Sequence, residues 1–200
     1  MISESERPRR RSIRLPDYDY AQAGAYFVTI VTKDRACLFG EIVGGEMRLN
    51  GFGRIVQAVW DGLPSHYPGV ECDEFVVMPN HVHGILLLNV GAGFKSALTG
   101  MPPYTAATRA GFKPAPTSHR LPEIVRGFKS FSARAVNAAR GTLGVPVWQR
   151  NYYEHVVRGE AELNCIREYI ASNPLQWEID RENPNRNVVK SAGKSEPWEV

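Results

Sequence analysis

The sequence predicts an α+β fold, one antiparallel sheet with helices packed on one face. Three observations carry this. Stretches rich in β-branched and aromatic residues stand at 25–35, 70–79 and 81–90, the composition expected of strands. Between and after them, apolar residues recur at the helical period over 53–63 and again from His119 to about Ala139. The order is strand, hairpin, helix, two strands, helix, short strand, helix. That is close to a ferredoxin-like or RRM-like split β-α-β arrangement.

Each element has a local reason. AYFVTIVTKDR (25–35) is the first strand, and CLFGEIV and EMRLN flank Gly44-Gly45, a glycine turn suited to a hairpin. Asn50 is placed to cap a helix over about 53–63, where Ile55, Val56, Val59, Trp60 and Leu63 share a face and Pro64 and Pro68 stop it. VECDEFVVMP and HVHGILLLNV form two strands turned at Pro79-Asn80. Residues 90–118 break the pattern: AGFKSALT and AGFKPAPT match at six of eight positions, eighteen residues apart. Two copies do not stack a repeat core, so this stretch reads as a flexible insertion. From His119 onward Leu121, Ile124, Val125, Phe128, Phe131 and Val136 keep helical spacing, with stop signals at Gly141 and Gly144. VPVWQRNYYEHVVR (145–158) reads as extended, and 160–177 as a helix with Leu163, Ile166, Tyr169 and Ile170 on one face, ended by Pro174. The expected organisation is a basic arm over 1–20, one domain over 21–180 carrying the 90–118 insertion, and a polar tail over 181–200.

The totals narrow the function classes. Two hundred residues with 43% hydrophobic and 22% charged content fit one globular domain. No apolar stretch approaches the roughly 20 residues that span a bilayer, and the N-terminus lacks the apolar segment of a secretory signal. The expected location is cytoplasmic, with no membrane partner. Three distant cysteines (Cys37, Cys72, Cys165) make neither a disulfide framework nor a zinc ribbon. The net charge is only +3, yet Arg7, Arg9, Arg10, Arg11 and Arg14 stand together without an acid. Arg109, Lys113, Arg120, Arg126, Lys129, Arg134 and Arg140 face the single acid Glu123. Clustered cations of this kind suit a polyanion, and nucleic acid is the commonest one; a solvated surface and tail is the other reading.

VMPNHVHGILLL (77–88) carries the chemistry. Side chains at i and i+2 of a strand point the same way, so His81 and His83 project together, as two cis ligands of one metal ion do. By itself an HxH pair also fits two half-buried core histidines, and it does not choose between Mg²⁺, Mn²⁺ and Zn²⁺. Tyr169 and Asn173 lie four apart on one predicted helix face; alone they read as a core tyrosine and a helix end. Tyr152, Tyr153, Glu154 and His155 are further polar candidates, while Gly51-Phe52-Gly53 lacks the Lys-Ser/Thr of a phosphate loop.

Taken in order, VMPNHVHGILLL, VWQRNYYEHVVR and YIASNPLQW resemble the single-tyrosine HUH transposases, in particular the REP-associated tyrosine transposases related to the insertion-sequence-200 enzymes. The resemblance covers about residues 15–180 without the insertion. It implies an HUH endonuclease fold, with Tyr169 as nucleophile and His81, His83 and Asn173 around a divalent ion, Mg²⁺ or Mn²⁺. It further implies cleavage and strand transfer of single-stranded or hairpin DNA, of the REP palindrome type, through a 5′-phosphotyrosine link, by a monomer or a homodimer. Phosphate contacts are expected from Arg126, Lys129, Arg134, Arg150 and Arg14; Trp148 and Phe128 are read either as stacking on unpaired bases or as core residues, the commoner role of such rings. The rival readings are a non-catalytic RRM-like nucleic-acid-binding module and a metal-dependent hydrolase of a small phosphate ester, which would need more carboxylates near the histidines than Glu71, Asp73 and Glu74.

Overall fold

The computed structural model describes residues 19–20, 22–88 and 119–186. The main sheet holds four strands: β1 (Gly24–Val31), β4 (Val70–Val77), β5 (His81–Leu88) and β6 (Tyr153–Val157). They lie in the order β4-β5-β1-β6, every neighbouring pair antiparallel. The connection from β1 to β4 therefore passes over β5, which is the split β-α-β topology expected from the element order. β2 (Gly40–Val43) and β3 (Glu46–Leu49) make a separate hairpin, its turn at Gly44 and Gly45 with φ of 63° and 82°, as a two-residue loop of this type requires. The helices are α1 (Gly51–Asp61), α2 (Leu63–His66), α3 (Leu121–Ala139) and α4 (Glu160–Ser172). The α+β fold class is as predicted.

Local signals work where they were read. The Asn50 side chain caps α1, accepting from the backbone N–H groups of Phe52 and Gly53 at 2.9 and 3.0 Å. After α4 the chain tightens into a 3-10 turn, Asn173–Ile179, opened by Pro174, which cannot donate the next helical hydrogen bond. The basic arm up to residue 18, the 90–118 insertion and the tail from 187 lie outside the described residues.

One detail of the prediction differs. Tyr26, Val28, Ile30, Val82 and Leu86 face a core built with Trp60 of α1 and Phe128 of α3. Ala25, Phe27, Ile85 and Leu87 face the other way, onto Leu163, Ile166 and Ile170 of α4. Helices thus cover both faces of the sheet, and all eight residues of β5 are buried. The run Ile85-Leu86-Leu87-Leu88 is apolar at both parities because both of its faces are dry. Covering the second face also removes the open platform that an RRM-like base-stacking reading needs.

Gly84 answers a further feature of the HVHG stretch. A Cβ there would stand 2.5 Å from the Trp60 ring and 2.8 Å from Phe75. Trp60 stacks on Phe75 with centroids 4.3 Å apart and meets Phe128 edge-on. The missing side chain lets this indole lie on the sheet at Gly84.

Candidate metal and tyrosine site

His81 and His83 open β5 on the face that α4 covers, and both are buried. Their Nε2 atoms stand 3.0 Å apart. The Asn80 Nδ2 group donates to the carbonyls of Arg35 and Glu182, at 3.1 and 2.7 Å. That fixes the amide orientation, so it is Oδ1 that meets His81 Nδ1, at 2.8 Å, and accepts its proton. His81 Nε2 is then left with its lone pair. His83 Nδ1 lies 2.8 Å from the Thr29 hydroxyl, which can accept or donate, so His83 is able to present Nε2 as a lone pair too. Burial, followed by the charge of Arg181, holds His81 far below the usual imidazole range, at about 3. Burial, His81 and Arg181 lower His83 in the same direction. Neutral imidazoles with converging lone pairs are the state in which histidine binds a metal.

One more ligand group stands beside the pair, and a second buried oxygen lies on the adjoining helical stretch. The carboxylate of Asp180 comes within 3.7 Å of His81 Nε2, and among the described residues His81, His83 and Asp180 form the one cluster of three His, Cys, Asp or Glu ligands. Asn173 is 2% exposed, and its Oδ1 is buried without a hydrogen-bond partner, an arrangement that costs free energy unless a cation or donor completes it. The residues on either side of Asn173 on this helical stretch bracket the histidines: the Tyr169 ring lies 5.3 Å from His83 and the Trp177 ring 6.1 Å from His81. Phe27 packs between, stacked on His83 at 5.5 Å and edge-on to Tyr169 at 6.1 Å. The donor set, two imidazoles with amide and carboxylate oxygens, suits a borderline to hard divalent ion.

The helix carrying Tyr169 is tied down by an ion pair. Asp73, at the bulge of β4, accepts two hydrogen bonds from Arg167, at 2.7 and 2.6 Å, in the bidentate geometry that fixes direction as well as distance. This pairing engages Asp73 with Arg167, away from the metal cluster, against the small-ester hydrolase reading. His155 likewise pairs with Glu162, at 2.9 Å.

No protein-family model matches the chain. It is 43% identical over 173 residues to an uncharacterized protein of Haemophilus influenzae, covering 86% of this chain and 92% of the relative. A second Haemophilus influenzae protein, described as "Putative REP-associated tyrosine transposase", is 22% identical over 158 residues, 79% of this chain and 74% of that one. The solved structure of a REP-associated tyrosine transposase bound to a REP hairpin shares the fold, with a TM-score of 0.51 at 18% identity, over 82% of this chain and 73% of that chain. The chain is thus similar to a protein described as a REP-associated tyrosine transposase and shares the fold of a solved one.

The basic residues of the chain divide between two places. Arg126 and Arg134 are exposed on α3, on the side of the sheet away from the histidines, with the Arg134 guanidinium over Phe131. Arg150 is exposed and joins Lys33, Arg35, Trp148 and Pro184 in lining an open cleft of about 870 Å³. This cleft adjoins the histidine end of the sheet, since the Thr32 amide bonds the Asn80 carbonyl at 2.8 Å. Arg14 lies outside the described residues.

One expectation is corrected, and one pair of alternatives is decided for the core. Lys129 spends its ammonium on the carbonyls of Gln149, Arg150 and Asn151, at 2.6, 2.9 and 3.4 Å, which leaves no donor for a phosphate. Phe128 and Trp148 are buried core rings, with Trp148 Nε1 donating to Ser132 at 2.9 Å, so neither meets a base. Asp180 and Thr29 were missed. Asp180 follows the last periodic residue, in a stretch with no pattern to place it, and Thr29 is an ordinary strand residue until the register sets it opposite His83.

Proposed function

We propose that this transposase-like protein is a single-stranded or hairpin DNA endonuclease and strand transferase acting through Tyr169, on palindromic repeats of the REP type. The observation that carries the reading is the meeting of the Tyr169 ring with His83 of the buried histidine pair. His81, His83 and Asn173 hold a divalent ion, Mg²⁺ or Mn²⁺, with Asp180 beside them. When bound, that ion supplies Lewis acidity to a non-bridging phosphate oxygen.

The chain's own residues do the rest. The Tyr169 phenolic oxygen attacks phosphorus, the bond from phosphorus to the 3′-oxygen breaks, and the phenol's proton ends on that departing oxygen. The 5′-phosphate stays on the tyrosine. A second 3′-hydroxyl reverses the step, returning its proton to the phenol, so neither ATP nor an oxidant is needed. Arg126, Arg134, Arg150 and Arg14 contribute phosphate contacts that set affinity more than sequence choice. One chain brings its own tyrosine, on α4, to the histidines of β5, which suits a monomer; a homodimer would bring two tyrosines to paired ends.

The test incubates wild type and Tyr169→Phe with labelled hairpin DNA and Mn²⁺ and reads a denaturing gel. A covalent band is expected for wild type only, lost on adding chelator. An equal band from Tyr169→Phe, or none from wild type in either Mg²⁺ or Mn²⁺, overturns the proposal.

A further inference from the structure

We infer that Leu143 is an apolar wedge that enters the base stack of bound DNA beside the Arg150 cleft. The inference rests on the DNA-binding part of the reading above and not on Tyr169. Leu143 is the most exposed large apolar side chain among the described residues, at 95%, and Val145 beside it is 42% exposed. Single apolar side chains on a surface are ordinary. What sets this one apart is the polar framework that holds it in water.

The framework starts at the end of α3, which closes in a Schellman turn. The Thr142 amide donates to the Asn137 carbonyl at 2.9 Å, and the Gly141 amide to that of Ala138 at 3.3 Å. Gly141 and Gly144 have φ of 69° and 71°, and an added Cβ at either would meet nothing within 4 Å. Backbone direction, not lack of room, therefore calls for glycine on both sides of the apex. Side chains then tie the loop back to the helix. Asn137 Nδ2 and Arg140 Nη2 both donate to the Val145 carbonyl, at 2.9 and 3.2 Å. Arg140 Nε donates to the Thr142 hydroxyl at 2.7 Å and to Asn137 Oδ1 at 2.9 Å. Thr142 and Val145 are thus both fastened, and Leu143 between them is kept from folding back onto the protein.

The place of the loop selects its occupant. The chain that follows joins the end of the sheet, where the Lys33 amide bonds the Val147 carbonyl at 2.8 Å and the Gln149 amide that of Val31 at 2.9 Å. Pro146 lines the cleft with Lys33, Arg35 and Arg150, against the one acid Asp34. Residues 141–150 contain no acid at all. Three residues of chain from Pro146 to Leu143 span at most about 11 Å, the rise of about three stacked bases at roughly 3.4 Å each. A strand whose phosphates meet the cleft cations therefore has a base step within reach of the Leu143 tip. Proteins that kink DNA insert one leucine in this way, unstacking the step it enters. A second protein chain fits less well, because Leu143, Val145 and Pro146 cannot supply the roughly 1,000 Å² of a specific protein interface.

The experiment uses the hairpin DNA of the previous test, with 2-aminopurine placed in turn at each position of the stem base and its single-stranded flank. Wild type, Leu143→Ala and Leu143→Met are bound in the presence of chelator, so that no strand is cut. Anisotropy reads affinity, 2-aminopurine emission reads unstacking, and urea midpoints report the fold. Wild type is expected to raise emission about threefold at one base step; Leu143→Ala should lose most of that rise and bind about fivefold more weakly. Leu143→Met, still apolar and of similar length, should keep both, with all three urea midpoints equal. A Leu143→Ala protein with the emission and affinity of wild type overturns the inference. So does a loss that follows a lowered urea midpoint, which makes Leu143 structural, or a wild-type dimer that Leu143→Ala splits in sedimentation, which makes it a protein contact. A wild type that binds the hairpin without a rise at any position overturns the inference and leaves the Tyr169 adduct to its own test. A wild type that binds no hairpin DNA removes the parent reading with it.

Discussion

The two faces of the sheet use the same strands for opposite ends. On the face of α1 and α3, alternate residues of β1 and β5 bury Tyr26, Val28, Val82 and Leu86 against Trp60 and Phe128, and Gly84 is bare so that the indole fits. On the face of α4 the intervening positions bring Thr29, His81 and His83 together with Tyr169, and Asn173 is buried on the same helical stretch. The first face satisfies its apolar groups and stores stability. The second buries polar groups that are completed only in part by their neighbours, and Asn173 Oδ1 is left without a partner. A buried polar group in that state costs free energy, which points to a cation as the missing component. The pleat of one strand thus separates an apolar face that holds the fold from the face that carries the histidine pair.

The largest effect that sharpens this contrast comes from the structural face. Trp60→Ala removes a fully buried indole and should cost about 3–5 kcal/mol, seen as a lower midpoint in urea unfolding. Adduct formation per folded molecule should stay near wild type. If activity fell much more steeply than the folded fraction, the two faces would not be separable.

Acid should act through the other face. In the metal-free protein His81 and His83 have pKa values lowered below the ordinary imidazole value of 6.5, so below about pH 6.5 the unfolded chain binds protons that the folded chain refuses. Stability is then complete above that value and falls as pH drops towards the folded pKa, about 3 for His81. The slope approaches about 1.4 kcal/mol per pH unit for each histidine. Urea midpoints measured from pH 7.5 to 4.5 should show this fall, and His81→Gln/His83→Gln should flatten it. A flat wild-type curve would mean that the pair already binds protons in the fold.

The Asp73–Arg167 clamp gives a smaller effect. Arg167 is 35% exposed and Asp73 8%, so solvent screens part of the pair, and Asp73→Asn should cost about 1–2 kcal/mol. Because α4 carries Tyr169, the adduct rate should fall further than stability does, with Mn²⁺ affinity nearly constant. Equal losses in rate and stability would reduce the clamp to an ordinary ion pair. The smallest effect separates two cations close in space. Arg150→Ala should lower the salt dependence of DNA binding by about one counterion. Lys129→Met should leave that slope alone and lower stability instead, and fluorescence anisotropy across a salt series distinguishes them.

Local chemistry was legible where period and capping decide it. Asn50 capped α1, the glycine pair turned the hairpin, and the two-residue period of β5 put His81 and His83 on one side. Partners supplied by distant residues were not legible. Lys129 looked like its basic neighbours until the 149–151 carbonyls closed on it. Trp148 fitted stacking or core until Ser132 and Phe39 enclosed it, the latter ring 5.1 Å away.

The sequence by itself determined the strands and helices, their split β-α-β order, the common side of the HxH pair and the one-turn spacing of Tyr169 and Asn173. These follow from backbone periodicity, which each segment carries whatever surrounds it. Only the tertiary structure decided that α4 lies on the second face, that Asn80 and Thr29 orient the imidazoles, and that Asp180 comes back beside them. The reason is that a side chain's partner across 50 or 100 residues leaves no periodic trace: the Asn80 amide meets the Glu182 carbonyl from 102 residues away, and only folding closes that distance.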